Sequence, residues 1–323
     1  MEINKIQTVS GNIPSDELGF CHSHEHVAIA PGYVSGINPD LCIDEPARTL
    51  CELEQFYKAG GRALVDAQPG GCGRQADILE ALSKKSHVSI IASTGFHKTI
   101  FYPEDHWIFA YSETKLRDFF LTELRSGMFV NCDIAKPKKQ INARAGQIKT
   151  ALDKNDFNPL QEKLFSAAAA AAAGTGAPMM IHVEKGSDPL ALSDFLQERS
   201  VSPSQMIFCH MDRMIPQIEK HKLLCNQGSF LEYDTIARPK YHDDISEVGL
   251  IREMVESGYE DNLLMGLDVT RVRLPSYGGS VGLTYILDKF IPLLKNEGFP
   301  ESILNKFFTV NPAKAFSPRI PHR

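Results

Sequence analysis

Three histidines alternate along Phe20-Cys21-His22-Ser23-His24-Glu25-His26, in a short run that reads as a strand. Side chains two apart on a strand share a face. The pattern therefore predicts that His22, His24 and His26 project together while Cys21, Ser23 and Glu25 face away. Imidazoles converging from one strand are donors that a divalent cation takes. Lys149, His182, His210 and Asp268 each end another predicted strand. A lone histidine at a strand end is usually a hydrogen-bonded core residue. Four histidines and a carboxylate gathered at one mouth are enough for two divalent cations sharing a water, an arrangement that activates water for hydrolysis. Lys149 fits that set in one chemical form. An ammonium beside two cations is repelled, and a neutral amine ligates only one of them. A carbamate formed with CO2 is anionic and offers two oxygens, one to each ion. These donors suit Zn, with Mn or Co as alternatives.

The elements that hold these residues recur as a strand–helix rhythm. A hairpin is predicted over residues 3–13, and strands over 19–26, 62–68, 88–94, 145–151, 179–183, 206–211, 229–234 and 263–268. Helical periodicity fills 45–59, 75–85, 113–126, 160–173, 189–198, 215–225, 245–257 and 281–295. Such alternation indicates a parallel sheet. Eight units favour an α/β fold closed into a (β/α)8 TIM barrel, and no G-x-G-x-x-G supports a dinucleotide fold. The expected organisation is one domain over 1–323, with the hairpin in 1–18 and the barrel in 19–316. Inward residues at the strand C-termini of a barrel converge on its axis, and the loops that follow them form the active face. Those loops are 96–112, 235–244 and 269–280, whereas 127–144 precedes a strand and reads as structural. The alanine run 167–173 keeps a helical register and is expected to lie close against the barrel.

Composition narrows the function classes. The chain has 323 residues, 43% hydrophobic and 23% charged, with a net charge of -6 that gives no support for nucleic-acid binding. Seven dispersed cysteines without a C-x-x-C pair suit a reducing compartment. Residues 1–18 lack a signal-peptide pattern and no apolar run reaches membrane-span length. The expectation is a cytoplasmic protein acting on a small molecule, without a membrane partner, and with a homodimer left open.

The stretch Gly19-Phe20-Cys21-His22-Ser23-His24-Glu25-His26 resembles the opening signature of the phosphotriesterase family of the amidohydrolase superfamily. Arg144-Ala145-Gly146-Gln147-Ile148-Lys149 resembles that family's carboxylated-lysine strand. Ile181-His182, Cys209-His210-Met211-Asp212 and Met265-Gly266-Leu267-Asp268 match its remaining metal strands, and the resemblance extends to Asn311-Pro312-Ala313. It implies a binuclear hydrolase in which His24, His26 and Asp268 hold the buried ion and His182 and His210 the exposed one, with carboxylated Lys149 and a hydroxide bridging. Two departures stand out. Asp234 is followed by Thr235, where paraoxon-hydrolysing members carry a relay histidine, and His22 replaces a commonly apolar residue. His22 is expected inward beneath the metals as a hydrogen-bonded supporting residue, with a ligand role left open.

Arg238, Lys240 and Tyr241 in the strand-seven loop, with Arg271, Arg273 and Tyr277 after strand eight, predict an anion clamp. Both loops are similar to those of members that open phosphorylated sugar lactones, although the second is altered between Arg271 and Ser276. The leading expectation is hydrolysis of a lactone or ester, most favourably a phosphorylated sugar lactone, by attack of the bridging hydroxide. Asp268 would take the proton, with Asp212 as its relay partner. A phosphotriesterase or general carboxylesterase with a more apolar pocket is the enzyme alternative. A non-catalytic binding protein that kept the barrel is the other, though it would need no bridging lysine.

Overall fold

Glycine and proline punctuation between apolar runs cuts the chain into short strands and amphipathic helices. A computed structural model describes residues 4–133, 135–154 and 157–319, apart from the side chains of 214–216. The hairpin is β1 (Lys5–Thr8) paired antiparallel with β2 (Gly11–Pro14). The barrel strands are β3 (Cys21–Glu25), β4 (Ala63–Asp66) and β5 (Ser89–Gly95). A small antiparallel pair, β6 (Phe129–Val130) and β7 (Lys139–Gln140), occupies the segment expected to be structural. The barrel resumes with β8 (Gln147–Leu152), β9 (Met179–Val183), β10 (Met206–Cys209), β11 (Phe230–Tyr233) and β12 (Leu263–Met265). All neighbours in the order β12-β11-β10-β9-β8-β5-β4-β3 pair in parallel. The eight strands flanked by helices form the (β/α)8 barrel expected from the alternation.

The circle closes between β12 and β3, where the Asp268 amide, just past β12, donates to the His24 carbonyl at 3.0 Å. Gly266 permits it, because a Cβ there would stand 2.9 Å from the His24 carbonyl oxygen. At Gly95, φ is +105° and a Cβ would overlap the Lys149 carbonyl, so only glycine lets β5 lie against the lysine strand.

Alternation along each strand divides the core in two. Ala63, Val65, Ile91, Met180, Ile207, Cys209 and Leu264 fill the barrel interior. Leu64, Ile90, Ile148, Ile181, Phe208 and Leu231 face the helices. The alanine run lies within helix Pro159–Thr175, where Ala167, Ala168, Ala169, Ala171 and Ala172 are buried and small side chains let the helix approach β8 and helix Glu113–Arg125. Boundaries differ from the periodicity in two places. The helix expected from 215 begins at Ile218, after a 3-10 segment Met211–Gln217, and the one expected from 281 opens as a π-turn Ile286–Phe290 before Ile291–Asn296. Among the described residues no helix is long and apolar enough to cross a membrane.

The first strand departs from strict alternation. Its pairing with β4 shifts register between His22 and Glu25, and such an irregularity re-aims side chains. Cys21 packs in the interior cluster. His22 instead turns outward against the Phe56 ring of helix Pro46–Ala59, with centroids 4.7 Å apart. The expectation that His22 shares a face with His24 and His26 is thereby corrected.

Candidate active site and metal centre

Strand ends deliver His24, His26, Lys149, His182, His210 and Asp268 to the wall of one open cavity of about 260 Å³. His24, His26 and Asp268 offer ligand atoms within 4.8 Å of one another. The Asp268 Oδ1 lies 3.4 Å from His26 Nε2 and 3.7 Å from His24 Nε2. Beside them His182 Nδ1 and His210 Nε2 are 2.8 Å apart. Two of these residues carry backbone strain: φ is +60° at His210 and +48° at Asp268, a region disfavoured for residues with a Cβ.

Carboxylates behind the rings fix which nitrogen faces the cavity. Glu232 stands 2.7 Å and Asp234 3.1 Å from His24 Nδ1, and Asp234 stands 2.7 Å from His210 Nδ1. A ring that donates its Nδ1 proton to a carboxylate presents the Nε2 lone pair to a cation. Burial disfavours charge on His24, yet Glu232 and Asp234 help to hold its pKa well above the ordinary range. Burial pulls His182 down to about 4, and burial with Arg213 pulls His210 well below the usual imidazole range. Both stay neutral, the form in which an imidazole can bind a cation. For Asp268 burial favours the protonated form, but Arg238 and His26 hold it well below the usual carboxylate range.

Lys149 is 1% exposed, with its Nζ 3.5 Å from His24 Nε2 and 3.6 Å from Cys209 Sγ. Among the described residues no carboxylate lies within salt-bridge distance of it. A buried ammonium without a counter-ion is costly. The donor types, their convergence and this unpaired lysine fit a divalent metal centre.

Helix Glu301–Asn305 and the turns up to Asn311–Ala315 complete a chain that matches the phosphotriesterase family over residues 4–316. The chain belongs to the phosphotriesterase family. It is a hydrolytic enzyme, and the family's metal dependence agrees with the donor cluster. It is 26% identical to a phospho-furanose lactonase of Mycoplasmopsis synoviae, over 98% of this chain and 93% of that one. It is 27% identical to the human N-acetyltaurine hydrolase, over 95% and 96%. A solved lactonase from Listeria monocytogenes superposes with a TM-score of 0.89 at 28% identity, covering 98% of this chain and all of that one.

The two expected clamp loops behave differently. Arg238, Lys240 and Tyr241 line the cavity. Arg238 donates to Asp268 Oδ2 and, at 2.9 Å, to the Asp268 carbonyl. The Tyr241 ring underlies Arg213 at 4.4 Å and Lys240 at 4.8 Å. Arg271 turns away, donating to the Cys42 carbonyl (2.9 Å), Asp44 (2.7 Å) and Glu45 (3.0 Å). The Tyr277 hydroxyl is bound at Glu45 and Thr49. Arg271 and Tyr277 thus latch the strand-eight loop to the segment before helix Pro46–Ala59, a carboxylate pair that the sequence did not connect with them. Arg273 is buried and binds the carbonyls of Leu267 and Ile236.

Asp212 does not reach Asp268 either. Its Oδ2 accepts from the Thr235 amide and hydroxyl, and Arg213 is the neighbour that meets Asp268 Oδ2, at 2.9 Å. His22 supports Asp268 from outside the barrel. Its Nδ1 is 2.8 Å from Glu25 Oε1, and Glu25 accepts from the Leu267 and Val269 amides on either side of Asp268. Glu25 therefore does not simply face away.

Sequence reasoning missed Arg213, Glu232, His97, Lys98 and Glu184. Glu232 could have been found, because it stands two before Asp234 and shares its inward face. His97 and Lys98 reach the cavity from the loop after β5, where Lys98 pairs with Glu184 and Glu184 lies 3.3 Å from His182.

Proposed function

We propose that this enzyme opens a lactone bearing an anionic group, most favourably a phosphorylated sugar lactone, using two divalent cations joined by carboxylated Lys149. The observation that carries the reading is one cavity lined by the complete donor set and by Lys98, Arg213, Arg238 and Lys240. Zn suits the histidine-rich donors, with Mn or Co as alternatives. His24, His26 and Asp268 would hold one ion and His182 with His210 the other. Bound there, such ions supply Lewis acidity and lower the pKa of water.

The chain's own residues supply the rest. Asp268 Oδ1 faces the histidines while Oδ2 faces Arg213 and Arg238, so the carboxylate is ionised and fixed in orientation. Asp268 accepts the proton of the attacking water and returns it to the leaving alkoxide. Asp234 stands at Nδ1 of both His24 and His210, which turns their Nε2 atoms toward the cavity. Lys240, exposed and stacked over Tyr241, meets a remote phosphate at the cavity mouth. A relative of similar length named a phospho-furanose lactonase supports the substrate class.

The test is a screen of phosphorylated and unphosphorylated lactones, aryl esters and phosphotriesters on metal-replete protein. The expected outcome is highest kcat/KM for a phosphorylated lactone and loss of turnover on chelation. Neutral aryl esters hydrolysed as well as any anion would favour the esterase reading instead.

A further inference from the structure

Beyond the active centre, one buried cluster has the chemistry of a ligand site and no task in hydrolysis. Asp212 follows β10, His242 lies near the end of the loop 235–244, and Glu247 lies in the first turn of helix Asp244–Glu256. Their ligand atoms all fall within 4.8 Å of one another. His242 Nε2 is 3.0 Å from Glu247 Oε2 and 3.7 Å from Asp212 Oδ2, with the Thr235 hydroxyl 3.0 Å away. We infer that Asp212, His242 and Glu247 form a divalent-cation site separate from the active centre, with which it shares no ligand.

Two observations support this. Glu247 is fully buried and its Oε1 has no hydrogen-bond partner, and Asp212 Oδ1 is likewise unpartnered. Buried carboxylate oxygens are ordinarily satisfied. His242 Nδ1 lies 3.1 Å from the Asp243 carbonyl. That hydrogen bond places a proton on Nδ1 and turns Nε2 toward the two carboxylates, where it can take either a proton or a cation, as in a ligating histidine. A divalent ion held there would neutralise both carboxylates and engage Nε2 at once.

One nitrogen and two carboxylates suit Zn or Mn. The site also has a structural consequence. Thr235, which binds Asp212, and His242 lie near the two ends of the loop that carries Arg238, Lys240 and Tyr241, so a cation held by Asp212, His242 and Glu247 pins that loop to the barrel rim.

The proposal is tested on the full chain with Mn2+. A variant carrying His26→Asn, Lys149→Ala, His182→Asn and His210→Asn is titrated with Mn2+, and free ion is counted by electron paramagnetic resonance. About one bound equivalent is expected, lost when Glu247→Gln is added. No bound equivalent in a variant that still melts cooperatively would overturn the site. So would an equivalent that survives both Glu247→Gln and His242→Asn. If the multiple variant does not fold, elemental analysis of Mn-loaded wild type against Glu247→Gln alone decides. Equal metal content overturns the site, and a deficit of one equivalent supports it.

Discussion

Replacing Arg238, Lys240 and Arg271 one at a time with methionine separates three roles that the sequence merged into one clamp. Arg238 has a side chain only 14% exposed and donates both to Asp268 Oδ2 and to the Asp268 carbonyl. A hydrogen bond to a charged group contributes about 1.5–3 kcal/mol, or about ten- to hundredfold in kcat/KM. Because Asp268 serves every substrate, Arg238→Met should cost phosphorylated and unphosphorylated lactones alike. Lys240 is exposed and stacked on Tyr241. An exposed ionic contact contributes about 0.2–1 kcal/mol, so Lys240→Met should cost only the phosphorylated substrate, by at most about fivefold. Arg271 is committed to Asp44 and Glu45 at the surface. Arg271→Met should change either kcat/KM by less than about twofold. The assay is steady-state hydrolysis of a matched lactone pair, with metal content measured on each variant. A tenfold penalty at Arg271 confined to the phosphorylated lactone, with none at Arg238, would refute this division and restore the strand-eight clamp.

Lys149→Ala should lose at least one metal equivalent and most activity, with partial recovery on adding a small carboxylate; full metal and full rate would make the lysine a bystander. Asp268→Asn, where metal content survives, should lower kcat on the order of a hundredfold or more through the missing base, and an unchanged kcat would exclude that role. His221 is buried beside the Tyr233 hydroxyl, and burial lowers its pKa to about 4. Unfolded histidine takes a proton near pH 6.5, so this group's full contribution holds above that pH and is lost as pH falls toward 4. Urea denaturation at pH 7 and pH 5 should therefore show His221→Gln losing less stability than the native chain over that interval, by about 2 kcal/mol. Equal losses would reject the assignment.

Periodicity and donor chemistry made much of this protein legible. The eight-strand rhythm, the outer helices and the six residues His24, His26, Lys149, His182, His210 and Asp268 on one cavity wall all follow from strand ends that share an axis. Those features are local, set by side-chain type and by a period of two. What the sequence by itself could not decide depends on contacts between distant segments. A register shift against β4 turns His22 outward, although its spacing matched His24 and His26. Arg271 found Asp44 and Glu45 more than 220 residues earlier in the chain, and so left the cavity to Arg213 and Arg238. The same close packing brought His242 between Asp212 and Glu247. A charged side chain takes the partner that tertiary folding brings within about 3 Å. That choice rests on geometry between elements, which no spacing along a single element records.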